Sequence, residues 1–143
     1  MRITVDLQGA DKLVSQIERA AGALDGVIGD VVMETAADLE ADVKLRHQQG
    51  PHSGKLYQRG GVVHQSSGPG ESPAPDTGTL MGSIFHEQDG PRAAIVGSRL
   101  AYALYLEYGT TKMRPRPMWT PAAEQIRPVF LKRMAAAVDG ALS

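Results

Sequence analysis

Cysteine is absent from the 143 residues. That removes disulfide frameworks, thiolate zinc sites and cysteine nucleophiles together. No apolar run approaches the ~20 residues a spanning helix needs. The opening MRITVDLQGADK alternates apolar and polar residues and lacks the apolar core of a signal peptide. The expectation is a soluble protein made in the cytoplasm, with no membrane partner. Net charge is −1, so no strong overall field draws the chain to nucleic acid or anionic lipid. Internal repeats and coiled-coil heptads are missing as well.

Several catalytic patterns fail on inspection. GPHSGKL resembles a phosphate loop, but the pattern requires glycine at Gln49 and a hydroxyl residue at Leu56. The histidines, His47, His52, His64 and His86, form no H-x-x-x-H pair, and a zinc site needs converging ligands. No G-x-S-x-G elbow occurs. Ser53, Ser66 and Ser67 lie in Gly/Pro-rich stretches, where serine serves turns. Glu107 reads as an ion-pair partner of Arg114 or Arg116. No enzyme, cofactor or metal is expected.

What is present is ordinary globular composition, 42% hydrophobic and 22% charged, in a length that fits one domain over residues 1–143. The charge is uneven. Residues 1–50 carry five basic and nine acidic side chains, and residues 112–143 carry six basic and two acidic. The two segments either pack together inside one subunit or meet between subunits.

Ile3, Val5 and Leu7 alternate as a short first strand. Leu13, Ile17, Ala20, Leu24, Val27, Val31, Leu39 and Val43 then stripe one face of a long helix, with Asp11 as a plausible cap and Gly50–Pro51 as its stop. Gly22, Gly26 and Gly29 either weaken or break its middle or mark a close contact. Residues 50–79 hold seven Gly and four Pro. Within them Lys55–Gln65 reads as a β-hairpin arm turning at Gly60–Gly61, and SSGPGESPAPDTG returns the chain in an extended form stiffened by proline.

TLMGSI predicts a turn or short helix leading into a strand over Ser83–Gln88. Asp89–Gly90 marks a turn and Arg92–Ser98 the partner strand. Ala101, Leu104, Tyr105 and Tyr108 share one face of a short helix ended by Gly109. Thr120–Pro121 opens a last helix striped by Ile126, Phe130, Met134, Ala137 and Ala141, which Pro128 should kink or delay. The fold class is α+β: a small antiparallel sheet packed against a long N-terminal helix and a C-terminal helix, with a protruding hairpin arm.

Between the last two helices lies a basic, proline-punctuated turn with Lys112, Arg114 and Arg116. Tyr and Arg are enriched at interface hot spots, and proline-locked segments lose less entropy on docking. A long polar arm costs order without burying apolar area of its own. The candidate partner-contact residues are therefore Lys55, Tyr57, Arg59 and His64 on the arm, and Tyr105, Glu107, Tyr108, Lys112, Arg114 and Arg116 around the turn.

PAPDTGTLMGSI followed by AYALYLEYGTTKMRPRPMWTPAAE resembles the head–tail joining, or tail-completion, proteins of the necks of long-tailed bacteriophages. The resemblance rests on Asp76, Thr77, Gly78, Leu80, Ser83 and Ile84, then on Tyr102, Ala103, Tyr105, Glu107, Tyr108, Gly109, Thr110, Lys112, Arg116 and Pro117. It covers about residues 66–125. It implies a non-enzymatic virion component: a homo-oligomeric ring between the head-side connector or stopper protein and the tail terminator or tail tube, through which genomic DNA passes without sequence-specific binding. Sixfold symmetry would match a tail tube, and the residues leave the number open. Two alternatives stand beside it. One is a tail terminator ring capping the tail tube. The other is a nucleic-acid-binding factor that uses the basic arm.

Overall fold

The computed structural model describes residues 9–143. The strand expected through Ile3, Val5 and Leu7 lies outside the described residues. Helix α1, Ala10–Gln49, runs for 40 residues without a break, about 60 Å at 1.5 Å per residue. Its first turn is not capped by Asp11. Gly9 occupies the N-cap position in the left-handed region, and no side chain caps it. Asp11 lies within the first turn, where its charge is favourable beside the positive end of the helix dipole. Gly50 closes the helix, its N–H donating to the Arg46 carbonyl at 2.9 Å.

The chain then forms a hairpin of β1, Leu56–Arg59, and β2, Val62–Gln65. Both turn glycines have positive φ, 57° at Gly60 and 82° at Gly61, which a two-residue type I′ turn demands. The return loop leads to α2, Thr79–Ser83, and a second antiparallel pair, β3 Ile84–Gln88 with β4 Ala94–Ser98. Helix α3, Tyr102–Tyr108, and helix α4, Trp119–Leu142, complete the chain. The described strands thus form two separate two-stranded sheets.

The second half of α1 is the spine. The β3–β4 pair and α4 both pack on it. Val43, Leu80, Ile84, Ala103, Met118 and Ala122 form the buried core, with Leu39, Leu100, Leu106 and Trp119 packed around them. His86 on β3 bonds Glu40 on α1, which also holds Lys44. Those two partners keep the Glu40 carboxyl below its usual range, the Lys44 bond being the larger cause. Arg133 on α4 reaches Asp38 at 2.7 Å and Glu34 at 3.9 Å. Part of the charge asymmetry is thereby balanced inside one subunit.

Pro128 neither delays α4 nor ends it, since the helix runs from Trp119 to Leu142. The ring lacks an N–H, so the Glu124 carbonyl loses only one helical bond. Among the described residues Leu13, Val14 and Ile17, near the start of α1, are 58%, 52% and 60% exposed. The apolar stripe read along α1 is therefore buried only in its second half.

The glycines of α1 differ in their surroundings. A Cβ on Gly29 would sit 2.7 Å from the Pro91 carbonyl oxygen in the β3–β4 turn, whereas Gly22 and Gly26 face open space. Gly29→Ala is expected to destabilise by about 1–3 kcal/mol through this backbone clash. Gly22→Ala and Gly26→Ala are expected to stabilise by up to about 1 kcal/mol each. Thermal melting of the three variants checks the opposite signs.

Candidate partner-contact surface

Helix α3 is amphipathic in an unexpected sense. The face with Leu104, Tyr105 and Tyr108 points outward, at 60%, 55% and 72% exposure. The buried face carries Ala103 and Glu107. Glu107 does not pair with Arg114 or Arg116. Its carboxylate accepts from the backbone N–H groups of Met118 at 2.8 Å, Trp119 at 3.1 Å and Thr120 at 2.7 Å, and from the Thr120 hydroxyl at 2.6 Å. These are orphan donors of the first turn of α4. The cap therefore comes from α3, and Thr120 is a donor to it. Burial, the largest single influence, pushes the Glu107 carboxyl up, but the four hydrogen bonds together outweigh it and hold the group below the usual glutamate range. Burial and full engagement remove Glu107 from the surface available to a partner.

Residues 109–117 cross back over the molecule. Gly109 has φ 76°, and a Cβ there would meet Met113 and Pro115 backbone atoms within 3 Å, so the turn closes only around glycine. The Arg116 N–H donates to the Leu106 carbonyl at 2.7 Å, and the Pro115 carbonyl accepts from Gly70 N–H at 2.9 Å. The turn's backbone is thus docked inside the subunit, on α3 and on the return loop. Its side chains divide. Lys112 and Arg114 are exposed, and Arg116 is half-buried. Among the described residues neither Lys112 nor Arg114 takes part in an ion pair.

The arm also divides. Its return loop has an intramolecular role that the composition concealed: Ser67, Gly68 and Pro73 are buried. Glu71 ties the loop to the start of the arm, accepting from Ser53 Oγ at 2.5 Å, Ser53 N–H at 2.9 Å and Gly68 N–H at 2.6 Å. These bonds, the Ser53 hydroxyl first, lower its pKa to about 2. A depressed carboxylate pKa gives order that is complete above the ordinary glutamate value and lost as pH falls through the folded one. Glu71→Gln is expected to speed exchange of the Ser53 and Gly68 amides at neutral pH, and acidification toward about 2 should do the same in the wild type. Amide hydrogen exchange by NMR checks both.

The hairpin itself is bare. Leu56, Val62 and Val63 are 68%, 58% and 65% exposed. Tyr57 stacks on its cross-strand partner His64, with ring centroids 5.5 Å apart. Arg59 pairs with Asp76, whose second oxygen lies 3.9 Å from His64. Lys55 is exposed at the arm's base. Of the arm's cationic candidates, Arg59 is already neutralised.

Tyr57 and Arg59 on the hairpin, Tyr102 on α3 and Arg116 in the turn line a single cavity of about 450 Å³. Its floor includes His47 and Ser67, which are 2% and 1% exposed. Both ring nitrogens of His47, the Ser67 hydroxyl and Arg116 Nε have no hydrogen-bond partner among the described residues. A buried polar group left so costs about 1–3 kcal/mol. Burial pushes the His47 pKa down, with the adjacent Pro73 carbonyl opposing and His52 adding to the effect. Neither ring nitrogen of His47 has a partner that satisfies hydrogen-bond geometry among the described residues.

The residue types pointed to neither His47 nor Ser67. His47 had a signal, since it extends the Leu39–Val43 stripe by one more four-residue step. Ser67 had none, because its burial depends on how the loop closes. Among the described residues no three His, Asp or Glu side chains converge as metal ligands, and no helix is long and apolar enough to cross a membrane. Comparison with protein-family models, with curated proteins and with solved structures found no match.

Proposed function

We propose that the chain is a structural, non-enzymatic subunit of the neck of a long-tailed bacteriophage. Copies form a ring that joins the DNA-filled head to the tail tube and leaves a channel for DNA. The observation that carries this reading is the apolar and cationic surface left uncovered on the hairpin, α3 and the basic turn. Leu56, Val62 and Val63 on the hairpin, Leu104, Tyr105 and Tyr108 on α3, and Lys112 and Arg114 on the turn find no burial or charge partner within the described subunit. Leu104, Tyr105 and Tyr108 share one open groove with Leu100, and an exposed apolar cluster of this kind marks a contact site.

A closed ring needs two different patches on each subunit. The exposed Leu13, Val14 and Ile17 at the start of α1 supply a second patch distinct from the first. The remaining partners are the head-side connector and the tail terminator or tail tube. The protein acts in the virion after assembly in the host cytoplasm. Its near-neutral charge, −1, suits a wall that DNA slides past rather than one that grips it.

Native mass spectrometry of the purified protein, alone and mixed with tail-tube protein, tests the reading. A closed oligomer of one stoichiometry is expected in at least the mixture. A chain that stays monomeric in both, and is missing from purified virions, overturns it.

A further inference from the structure

The β3–β4 pair leaves one edge open beside an apolar groove. Asp89 N–H donates to the Ala93 carbonyl, and Arg99 N–H to the Ser83 carbonyl. In this antiparallel register the odd-numbered residues of β4 therefore exchange bonds with β3. The N–H and C=O groups of Ala94 and Val96 point away from β3, and neither residue makes another backbone bond among the described residues. The side chains of the same two residues line a groove of about 480 Å³ between β4, α1 and α4, with Val32, Leu39, Ile126 and Phe130 on its other walls. All six are only half-buried. The polar residues of the lining are Thr35, Thr120, Glu124 and Arg127. The last three are exposed and border the groove. The Thr35 hydroxyl is buried without a partner and offers no contact to an occupant.

We infer that residues 2–8 of a second copy of this chain add to the open edge of β4 as a third strand, with Ile3, Val5 and Leu7 in the groove.

The occupant follows from pattern and reach. A pair of five-residue strands is a marginal sheet, and a third strand with an apolar face stabilises it. RITVDLQ alternates polar and apolar residues, and a strand sends successive side chains to opposite faces. Ile3, Val5 and Leu7 then enter the groove together, while Arg2, Thr4, Asp6 and Gln8 stay in water. An added strand gains affinity from the main-chain bonds of the edge and specificity from its alternate side chains. The segment cannot come from the same copy. Val32, the α1 residue of the groove nearest the helix start, lies 22 positions beyond Ala10, about 33 Å at the helical rise. Fully extended, the chain from Ala10 back to Ile3 spans only about 24 Å. Ile3 falls short of the groove, and Val5 and Leu7 fall shorter still.

Segment and groove are different surfaces, so the contact is head-to-tail, the kind a closed ring uses. The inference deepens the ring reading and rests on it for the presence of neighbouring copies. The two fail separately. A ring closed through other surfaces removes this strand and leaves the ring. Strand exchange by a chain missing from virions keeps the strand and removes the neck.

The test is paramagnetic broadening between copies. The chain has no cysteine, so Gln8→Cys takes a single nitroxide label. This copy, without isotope, is mixed with ¹⁵N-labelled wild type, so that only contacts between copies broaden the observed amides. The amides of Ala94, Val96, Ile126 and Phe130 are expected to broaden as the mixture is concentrated. Val5→Asp in the nitroxide copy puts a charge into the apolar groove and should raise the concentration needed by about tenfold or more. Thr4→Asp, on the opposite face of the strand, should leave it within about twofold. The observed copy is wild type throughout, so neither substitution disturbs the groove that reports. No broadening of these amides, broadening confined to other surfaces, or equal effects of Val5→Asp and Thr4→Asp overturns the inference. Shifts of the same amides with added tail-tube protein, and none with this chain, assign the groove to a different partner and overturn it as well.

Discussion

Glu107→Ala is expected to lower the melting temperature by roughly 10 °C, from a loss of about 3 kcal/mol. The carboxylate accepts from the three backbone N–H groups of Met118, Trp119 and Thr120 and from the Thr120 hydroxyl. An ordinary N-cap deletion costs about 0.5–2 kcal/mol. This one costs more because the acceptor is charged, buried and shared by four donors. Met118 is 1% exposed, so water does not replace the lost acceptor at its N–H. Glu107→Gln keeps one carbonyl oxygen but turns an NH₂ donor toward backbone donors, so it should recover less than half of the loss.

The two variants also separate a pH effect. Glu107 is held below the usual glutamate range in the fold. Its contribution is therefore complete above the ordinary value of about 4.3 and is lost as pH falls through the folded value. Wild-type stability should drop across that acid window, and the Glu107→Gln curve should be flatter there. Melting curves collected from neutral pH downward give both numbers. Equal stability of wild type and Glu107→Ala at neutral pH would show that α4 needs no acceptor from α3.

Reversing the charge at Lys112 and Arg114 together, Lys112→Glu with Arg114→Glu, is expected to leave the fold intact and, under the proposed neck role, to weaken head–tail joining strongly. Both side chains are exposed and outside any ion pair among the described residues. Stability should stay within about 0.5 kcal/mol of wild type. At a partner surface, like-charge juxtaposition costs several kcal/mol. Joining of heads to tails in an in vitro complementation assay should therefore fall about a hundred-fold. Arg116 is a poorer choice for this test, because its Nε is buried and its loss would mix folding with docking. Normal joining by the folded double variant would remove the turn from the proposed contact surface.

Local rules made much of this fold legible. Gly60–Gly61 between two short apolar runs specified the hairpin, because a two-residue turn with positive φ at both positions depends only on the residues that make it. The four-residue steps along α1 and α4 showed their faces for the same reason. Tertiary contacts decided what stayed hidden. The stripe Leu104–Tyr105–Tyr108 was visible, but its direction was not. An α4 terminus inside the core needed an acceptor, and that need turned Glu107 inward and the aromatic rings out. Gly29 differs from Gly22 and Gly26 only because Pro91, far along the chain, crosses it.

The candidate surface was legible in part. Lys112, Arg114, Tyr105 and Tyr108 are exposed together as their types suggested. The return loop, read as burying nothing, is instead anchored by Glu71 and packed against the basic turn. Loop composition reports stiffness and turn capacity, and it does not report which other segment the loop will meet.

The most direct measurement is hydroxyl-radical footprinting of the free subunit and of purified virions, with side-chain oxidation read by mass spectrometry. In the virion, Leu56, Val62 and Val63 on the hairpin and Tyr105 and Tyr108 on α3 should be strongly protected relative to the free protein, with Leu131, exposed on α4, as an internal reference. Unchanged oxidation of the hairpin and the α3 face in the assembled particle would contradict the proposal that these surfaces find their burial in other polypeptides.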